Sequence, residues 1–174
     1  MRVVSGPATV ATVLVAALAP AASAATSQPV GTACPAHPLT MLPAPRWAPA
    51  RNVLAPPGAI SIRLCRYAGL NARARLGLVS ARTLTGASHV TALTRELDRL
   101  PSGPLGPVAC PSDDGSQILA ILSYPTGWTV PITMGLSGCN SVTNGIVRRT
   151  ASGFGSPPAA GPQLLAELER LTAG

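Results

Sequence analysis

At 174 residues the chain is one domain's worth with length to spare, and its formal net charge of +7 rests on 13 basic residues, all arginine, against 6 acidic ones. The missing lysine excludes Schiff-base chemistry and a Ser-Lys dyad. The absence of any Cys-x-x-Cys or paired histidines among its 4 cysteines and 2 histidines excludes the ordinary zinc sites, so no metal or other cofactor is expected.

Residues 1–24 read as an export signal: Arg2 is basic, Val10 to Leu18 is apolar, Pro20 breaks the run, and Ala22-Ser23-Ala24 is a small-x-small cleavage pattern. The apolar run is short of the roughly 20 residues a spanning helix needs, and no later stretch is long enough either. A mature chain from Ala25, located outside the cell, is the expectation. In that compartment an even number of cysteines predicts complete pairing into two disulfides. Acylation at Cys34 would leave one of the other three unpaired, and Gly31-Thr32-Ala33 lacks the aliphatic residue such a site needs.

Residues 25–57 hold eight prolines, which fix φ and supply no N–H, so an extended arm or linker is predicted rather than helix or central strand. If Cys34 bridges to the domain, the arm is a strap, and Met41, Leu42 and Trp47 can pack on the surface beneath it. The domain itself is predicted over 58–174. Ile60, Ile62 and Leu64 alternate with Ser61, Arg63 and Cys65, the period of a half-buried strand. Cys65 has the opposite parity to the aliphatics and faces wherever the arm lies, which favours Cys34–Cys65. A second strand is predicted from Leu76 to Thr85.

Ser88 is a suitable N-cap for a helix in which Val90, Leu93, Leu97 and Leu100 form the apolar stripe and Pro101 the stop. Arg95, Glu96, Asp98 and Arg99 fall on the other side, as a solvated surface. Gln117 to Tyr124 is apolar at both parities, as in a central strand covered on both faces. Pro125-Thr126-Gly127 is a turn, and Trp128 to Leu136 returns with one-sided alternation, Pro131 hinting at an edge or a bulge. A turn centred on Thr126 sets Cys139 across from Asp113, so Cys110–Cys139 is the favoured pair. Asn140 to Gly145 is predicted as a turn, Ile146 to Thr150 as a further short strand, and Pro162 as the start of a last helix with Leu164, Leu165, Leu168 and Leu171 inward. The expected fold is α+β: a small antiparallel sheet of four to five strands with two helices packed on one face and two disulfides.

Little catalytic chemistry is on offer. His89 is an exposed helix residue, His37 lies in the arm, and no Gly-x-Ser-x-Gly elbow occurs. Asp113-Asp114-Gly115 is first of all a turn signal, without the further oxygen ligands of a calcium loop. The loop Pro111, Ser112, Asp113, Asp114 and Gly115 is the candidate partner loop. Arg63, Arg66, Arg73, Arg75 and Arg82 make a candidate face for an anionic partner, with Tyr67 near for stacking. An arginine-only basic set beside abundant alanine, glycine and proline is also what a GC-rich bacterial genome imposes, which is the plainer account of the same residues. The partner expected is therefore an anionic cell-envelope polymer or an extracellular protein, not nucleic acid.

Four motifs carry a resemblance: Cys65-Arg66-Tyr67-Ala68-Gly69-Leu70-Asn71, Cys110-Pro111-Ser112-Asp113-Asp114-Gly115, Tyr124-Pro125-Thr126-Gly127, and Gly138-Cys139-Asn140-Ser141-Val142-Thr143-Asn144-Gly145. Through them the chain resembles a family of uncharacterised secreted proteins of actinobacteria such as streptomycetes, a family that implies compartment and domain extent but no chemistry. The Cys110-Pro111 opening, hairpin and closing Cys139 are also similar to the second half of the streptomycete subtilisin inhibitors. That resemblance implies a protease-facing loop with Ser112–Asp113 at the scissile position, although serine is a poor primary anchor and Asp114 adds charge. The expectation is a secreted, non-catalytic binding or structural domain at the cell envelope, with a subtilisin-inhibitor-like protease inhibitor as the alternative.

Overall fold

The computed structural model describes residues 31–73, 75–103, 109–152 and 160–173, so the predicted export signal lies outside the described residues. Six strands form one sheet: β1 (Ser61–Tyr67), β2 (Leu78–Leu84), β3 (Gln117–Ser123), β4 (Thr129–Gly135), β5 (Ser141–Thr143) and β6 (Arg148–Thr150). Their spatial order is β2-β1-β3-β4-β5-β6, every neighbouring pair antiparallel. Helices α1 (Ala87–Arg99) and α2 (Ala160–Thr172) complete the α+β fold. The predicted four to five strands become six because Asn140 to Gly145 is not all turn. Val142 is buried against β4, and that anchors Ser141–Thr143 as a strand. The following strand is correspondingly shorter than Ile146–Thr150, with Ile146 exposed in the turn.

Period-2 alternation sorts the sheet into two faces. Ile62 and Leu64 of β1, Ile118, Ala120 and Leu122 of β3, and Val130, Ile132 and Met134 of β4 point toward the helices, and all are fully buried. Val90, Leu93 and Leu97 of α1 and Leu164 and Leu168 of α2 close that core from above, each set at helical spacing. α1 starts one residue before the predicted cap. Gly86 is its N-cap, without a side-chain hydrogen bond, and Ser88 lies inside the first turn. Ile60, expected as the first core aliphatic, precedes β1 and is exposed, and Trp128 lies outside β4 in the hairpin turn, also exposed.

On the opposite face Cys65, Tyr67, Leu119 and Ile121 form a second, smaller cluster, covered by Cys34, Leu39 and Leu42 of the arm. β3 is thus covered on both sides, as its two apolar parities demand. The Cys34–Cys65 bridge pins the arm there, with Cα atoms 5.6 Å apart. The Tyr67 hydroxyl donates to the Pro35 carbonyl at 3.0 Å, and the Leu78 amide donates to Ala36 O at 3.2 Å. Met41 does not pack; it is the most exposed large apolar side chain described.

Further along, the arm leaves this face and joins the main core. Ala50, in a 3-10 turn over Ala48–Arg51, and then Leu54 and Ala55 are buried among the helix-side residues. Trp47 lies against Tyr124 with ring centroids 4.5 Å apart, and the Tyr124 hydroxyl donates to Pro56 O at 2.7 Å. Burial, and secondarily the nearby Asp98 carboxylate, push the Tyr124 hydroxyl well above its ordinary range. Asp98 was expected on the solvated side of α1. Its Oδ1 instead accepts the Leu54 amide at 3.0 Å and holds the arm to the helix. Residues 34–56 are therefore a strap that begins on one face of the sheet and ends in the core on the other.

The hairpin register follows the expected centre: Ser123 faces Thr129 and Gln117 faces Gly135, symmetric about Thr126. Extended by four residues, that register brings Cys110 close enough to Cys139 for the second bridge, with Cα atoms 5.1 Å apart. Pro131 lies within β4 and not at a bulge, but among the described residues one side of the strand is an open edge at its position, as the proline hinted. β5 pairs only with Thr133 and Met134, so Pro131 has a strand neighbour on one side and its missing N–H disrupts no second ladder.

Candidate functional site

Three places combine exposure with chemistry: the loop after Cys110, the arginines of the first two strands, and a cleft on the helix face. In the loop both acids are occupied locally. Asp113 Oδ1 accepts the Gly115 amide at 2.9 Å and Asp114 Oδ1 accepts the Ser116 amide at 2.9 Å, the two-residue reach of an Asx turn. Ser137, across the hairpin, donates its hydroxyl to Asp114 Oδ1 at 2.6 Å and accepts the Asp114 amide at 3.0 Å. The Leu70 amide reaches Asp114 O at 2.8 Å, an approach that requires glycine next door: a Cβ on Gly69 would run into the Asp114 carboxylate.

The hydrogen bonds from Ser116, Ser137 and the Ser116 backbone amide lower the Asp114 pKa to about 2 from an ordinary value of 3.8. A depressed carboxylate stabilises the fold when ionised, so its contribution is present above pH 3.8 and is lost as pH falls toward about 2. Asp114→Asn is accordingly expected to flatten the acid limb of stability between those two values while changing stability at neutral pH less than a core substitution does. Urea unfolding of both proteins across that range is the check; parallel acid limbs would remove Asp114 from the account.

Ser112 has φ of 62°, in the left-handed region. A chain presented to a protease lies extended against it, so the residue at the scissile position of an inhibitor needs a negative φ. With its neighbours folded into consecutive Asx turns, the loop is braced as in an inhibitor but shaped as a tight turn.

The five arginines do not make one face. Arg63 and Arg66 have opposite parity on β1. Arg63 bonds Thr83 Oγ1 at 2.7 Å on the arm-side face, while Arg66 lies 3.8 Å from Glu169 on the helix side. Arg82, also on the helix side, donates to the Leu171 carbonyl at 3.3 Å near the end of α2. Arg73 and Arg75 stand exposed in the β1–β2 loop. Tyr67 is not available for stacking, being buried under the strap with its hydroxyl occupied.

The cleft was not expected. It measures about 450 Å³ and lies between β2, α1 and α2, its floor formed by Leu84, Leu93, Leu164 and Leu171. Polar groups ring it: the charged Arg82, Glu96, Glu167 and Arg170, and His89. Arg170 makes two 2.7 Å hydrogen bonds to Glu167, and this contact holds the Glu167 carboxyl below its usual range. His89 lines the cleft although it reads in sequence as a plain surface residue; Asp113 and His37 do not. Among the described residues no three histidine, cysteine or acidic side chains converge as a metal site, and no helix is long and apolar enough to cross a membrane.

Sequence reasoning also missed Asn144, which is fully buried. Its Nδ2 donates to the carbonyls of Ala50, Val53 and Leu54 at 2.8, 3.1 and 3.1 Å, and its Oδ1 accepts the amides of Ile146 and Val147 at 3.1 and 2.9 Å. One side chain thereby ties the strap to the β5–β6 turn. The only sequence signal was its place in Thr143-Asn144-Gly145, where an Asn-Gly pair reads as a turn. No protein-family model, no curated protein and no solved structure matches this chain.

Proposed function

We propose that the protein is an exported, non-catalytic domain that binds a partner at the cell envelope, an extracellular protein before an anionic polymer. The observation that carries the reading is the pair of disulfides, one pinning the strap to β1 and the other closing the base of the β3–β4 hairpin. Bridges that hold exposed segments rigid suit a domain working in an oxidising compartment and presenting preformed surfaces. The division of the arginines between two faces and a loop speaks against a broad polyanion surface. The acids of Asp113-Asp114 are engaged in fixing their loop, which suits a structural role better than proton transfer.

The test is expression of the full chain in a secreting bacterial host, with fractionation and non-reduced intact-mass measurement. The expected product starts at Ala25, carries two bridges and sediments saturably with isolated cell envelopes. A reduced full-length chain retained in the cytosol, or an oxidised chain that never sediments, overturns the reading. Sedimentation that collapses in high salt and with Arg73→Glu/Arg75→Glu would favour the polymer over the protein partner.

The inhibitor reading has one structural point in its favour, the braced loop after Cys110, and the conformation of Ser112 against it. The oxidised protein is expected to leave a panel of subtilisin-like and trypsin-like proteases uninhibited at micromolar concentration. Tight inhibition abolished by Asp113→Pro would restore that alternative.

A further inference from the structure

The two edges of the sheet are treated differently by the fold. At the β6 edge the connection after α1 adds itself as a short extra strand. The Thr150 amide bonds Pro101 O at 3.0 Å, the Gly103 amide bonds Arg148 O at 3.4 Å, and Ser102 bridges to Arg149. At the β2 edge, among the described residues, only Leu78 is so engaged, through Ala36 O. Val79 is the extra residue of a bulge, since Arg66 faces Ser80 while Tyr67 faces Leu78. From Ser80 to Leu84 the strand is regular, and among the described residues its outer rim has no strand neighbour.

Edges of this kind are ordinarily blunted by protruding charge or proline. β2 has no proline, and its single charge, Arg82, is turned over the helix face onto Leu171 O. Ser80 is turned the same way, its hydroxyl on the Thr172 carbonyl. Of the three polar side chains of β2, the two on the helix face are thus held against the end of α2, and the third, Thr83, accepts a hydrogen bond from Arg63 on the other face.

The cleft opens beside the same rim, with Arg82 and Leu84 in its lining. A strand added to β2 has its side chains about 5 Å from those of β2 on the same face, so alternate ones would enter the cleft. Its floor is aliphatic. On its wall Glu167 is neutralised by Arg170, and Arg82 is bound to a helix-end carbonyl, whereas Glu96 forms no ion pair within the described residues. An aliphatic stem ending in a cation, as in lysine or arginine, satisfies both the floor and Glu96.

We propose that the rim of β2 and the adjoining cleft form a docking site for an extended peptide segment of a partner protein, paired backbone to backbone with Ser80–Leu84 and placing a lysine or arginine side chain in the cleft beside Glu96. This rests on the binding reading above and gives it a site and a partner chemistry.

The experiment uses the oxidised protein labelled with ¹⁵N and the probe peptide acetyl-Thr-Val-Thr-Lys-Thr-Val-Thr-amide, with a second peptide carrying Glu in place of Lys. Expected are saturable shifts of the amides from Ser80 to Leu84 and around Glu96, with the Lys peptide at least about tenfold tighter, a difference of ~1.4 kcal/mol. Ala81→Pro should abolish binding. Glu96→Gln, an exterior change that keeps the fold, should erase the Lys preference while leaving backbone pairing.

Absence of saturable shifts, shifts centred elsewhere, or equal affinity for the two peptides overturns the proposal. So does slow amide exchange of the rim in the free protein, which would mean that residues before Gly31 already occupy it, or a dimer dispersed by Ala81→Pro, which would mean a second copy does. Envelope sedimentation of the same variants separates the two levels: retained sedimentation without peptide binding sinks this site and leaves the binding function standing.

Discussion

Asn144→Ala is expected to be the most damaging single polar substitution in the protein. The side chain is fully buried and makes five hydrogen bonds, three to strap carbonyls and two to amides of the β5–β6 turn. Alanine leaves those backbone groups without partners where water has little access, and the cost comes from their desolvation more than from the bonds themselves. A loss of about 3–5 kcal/mol, or a fall in Tm of roughly 10–20 °C, is the expected size. Asn144→Asp should be no better at neutral pH, because a carboxylate would face three carbonyl oxygens in place of the donating amide. Thermal melts of both variants decide the matter, and a drop within 3 °C or so for alanine would show that the strap is held by other means.

The second large effect belongs to the Cys34–Cys65 bridge, whose partners are 31 residues apart. Closing a loop of that length is worth about 3–4 kcal/mol on the chain-entropy estimate, and replacing both cysteines by alanine should forfeit most of it. The loss should also be local. Leu39 and Leu42 cover only the small cluster of Cys65, Tyr67, Leu119 and Ile121, so without the bridge residues 34–43 should exchange their amides rapidly. Residues 50–55 should remain protected, because Asn144 and Asp98 hold them independently. Hydrogen exchange read by mass spectrometry distinguishes this from global loosening; uniform faster exchange along the whole chain would refute a strap with two separate fastenings. The bridge and Asn144 secure one segment, so combining the variants should give a non-additive result.

Most of the sheet was legible because its signals are local. The unbroken apolar run Ile118–Leu122, bounded by turn signals, reads as a strand covered twice, and the opposite parity of Cys65 pointed its sulfur at the face where the arm lies. Both bridges could be read for the same reason: strand period and hairpin register convert residue number directly into side and height. The helices were equally plain, their aliphatic stripes recurring at the period that packs them on one face.

What escaped depends on tertiary neighbours and not on a local period. β5 is three residues long and has no pattern of its own; it exists because Val142 is buried on β4. Asp98 and Asn144 look like surface residues in any window, and only the path of the strap turns them into fastenings, Asp98 half-buried and Asn144 fully buried. The arginines seemed a single face when counted by region, yet strand parity and the position of α2 divide them. The cleft beside Glu96 likewise needs β2, α1 and α2 together, since no one of them lines more than a part of it. The sequence by itself determined the longer strands and the two helices and favoured the observed pairing of the cysteines, because each is written in short-range periodicity. Which polar side chains became fastenings, and which edge of the sheet was left open, only the tertiary structure decided, because burial and edge pairing are properties of neighbours far away in the chain, as Asp98 and Leu54 are at a separation of 44 and Asn144 and Ala50 at one of 94.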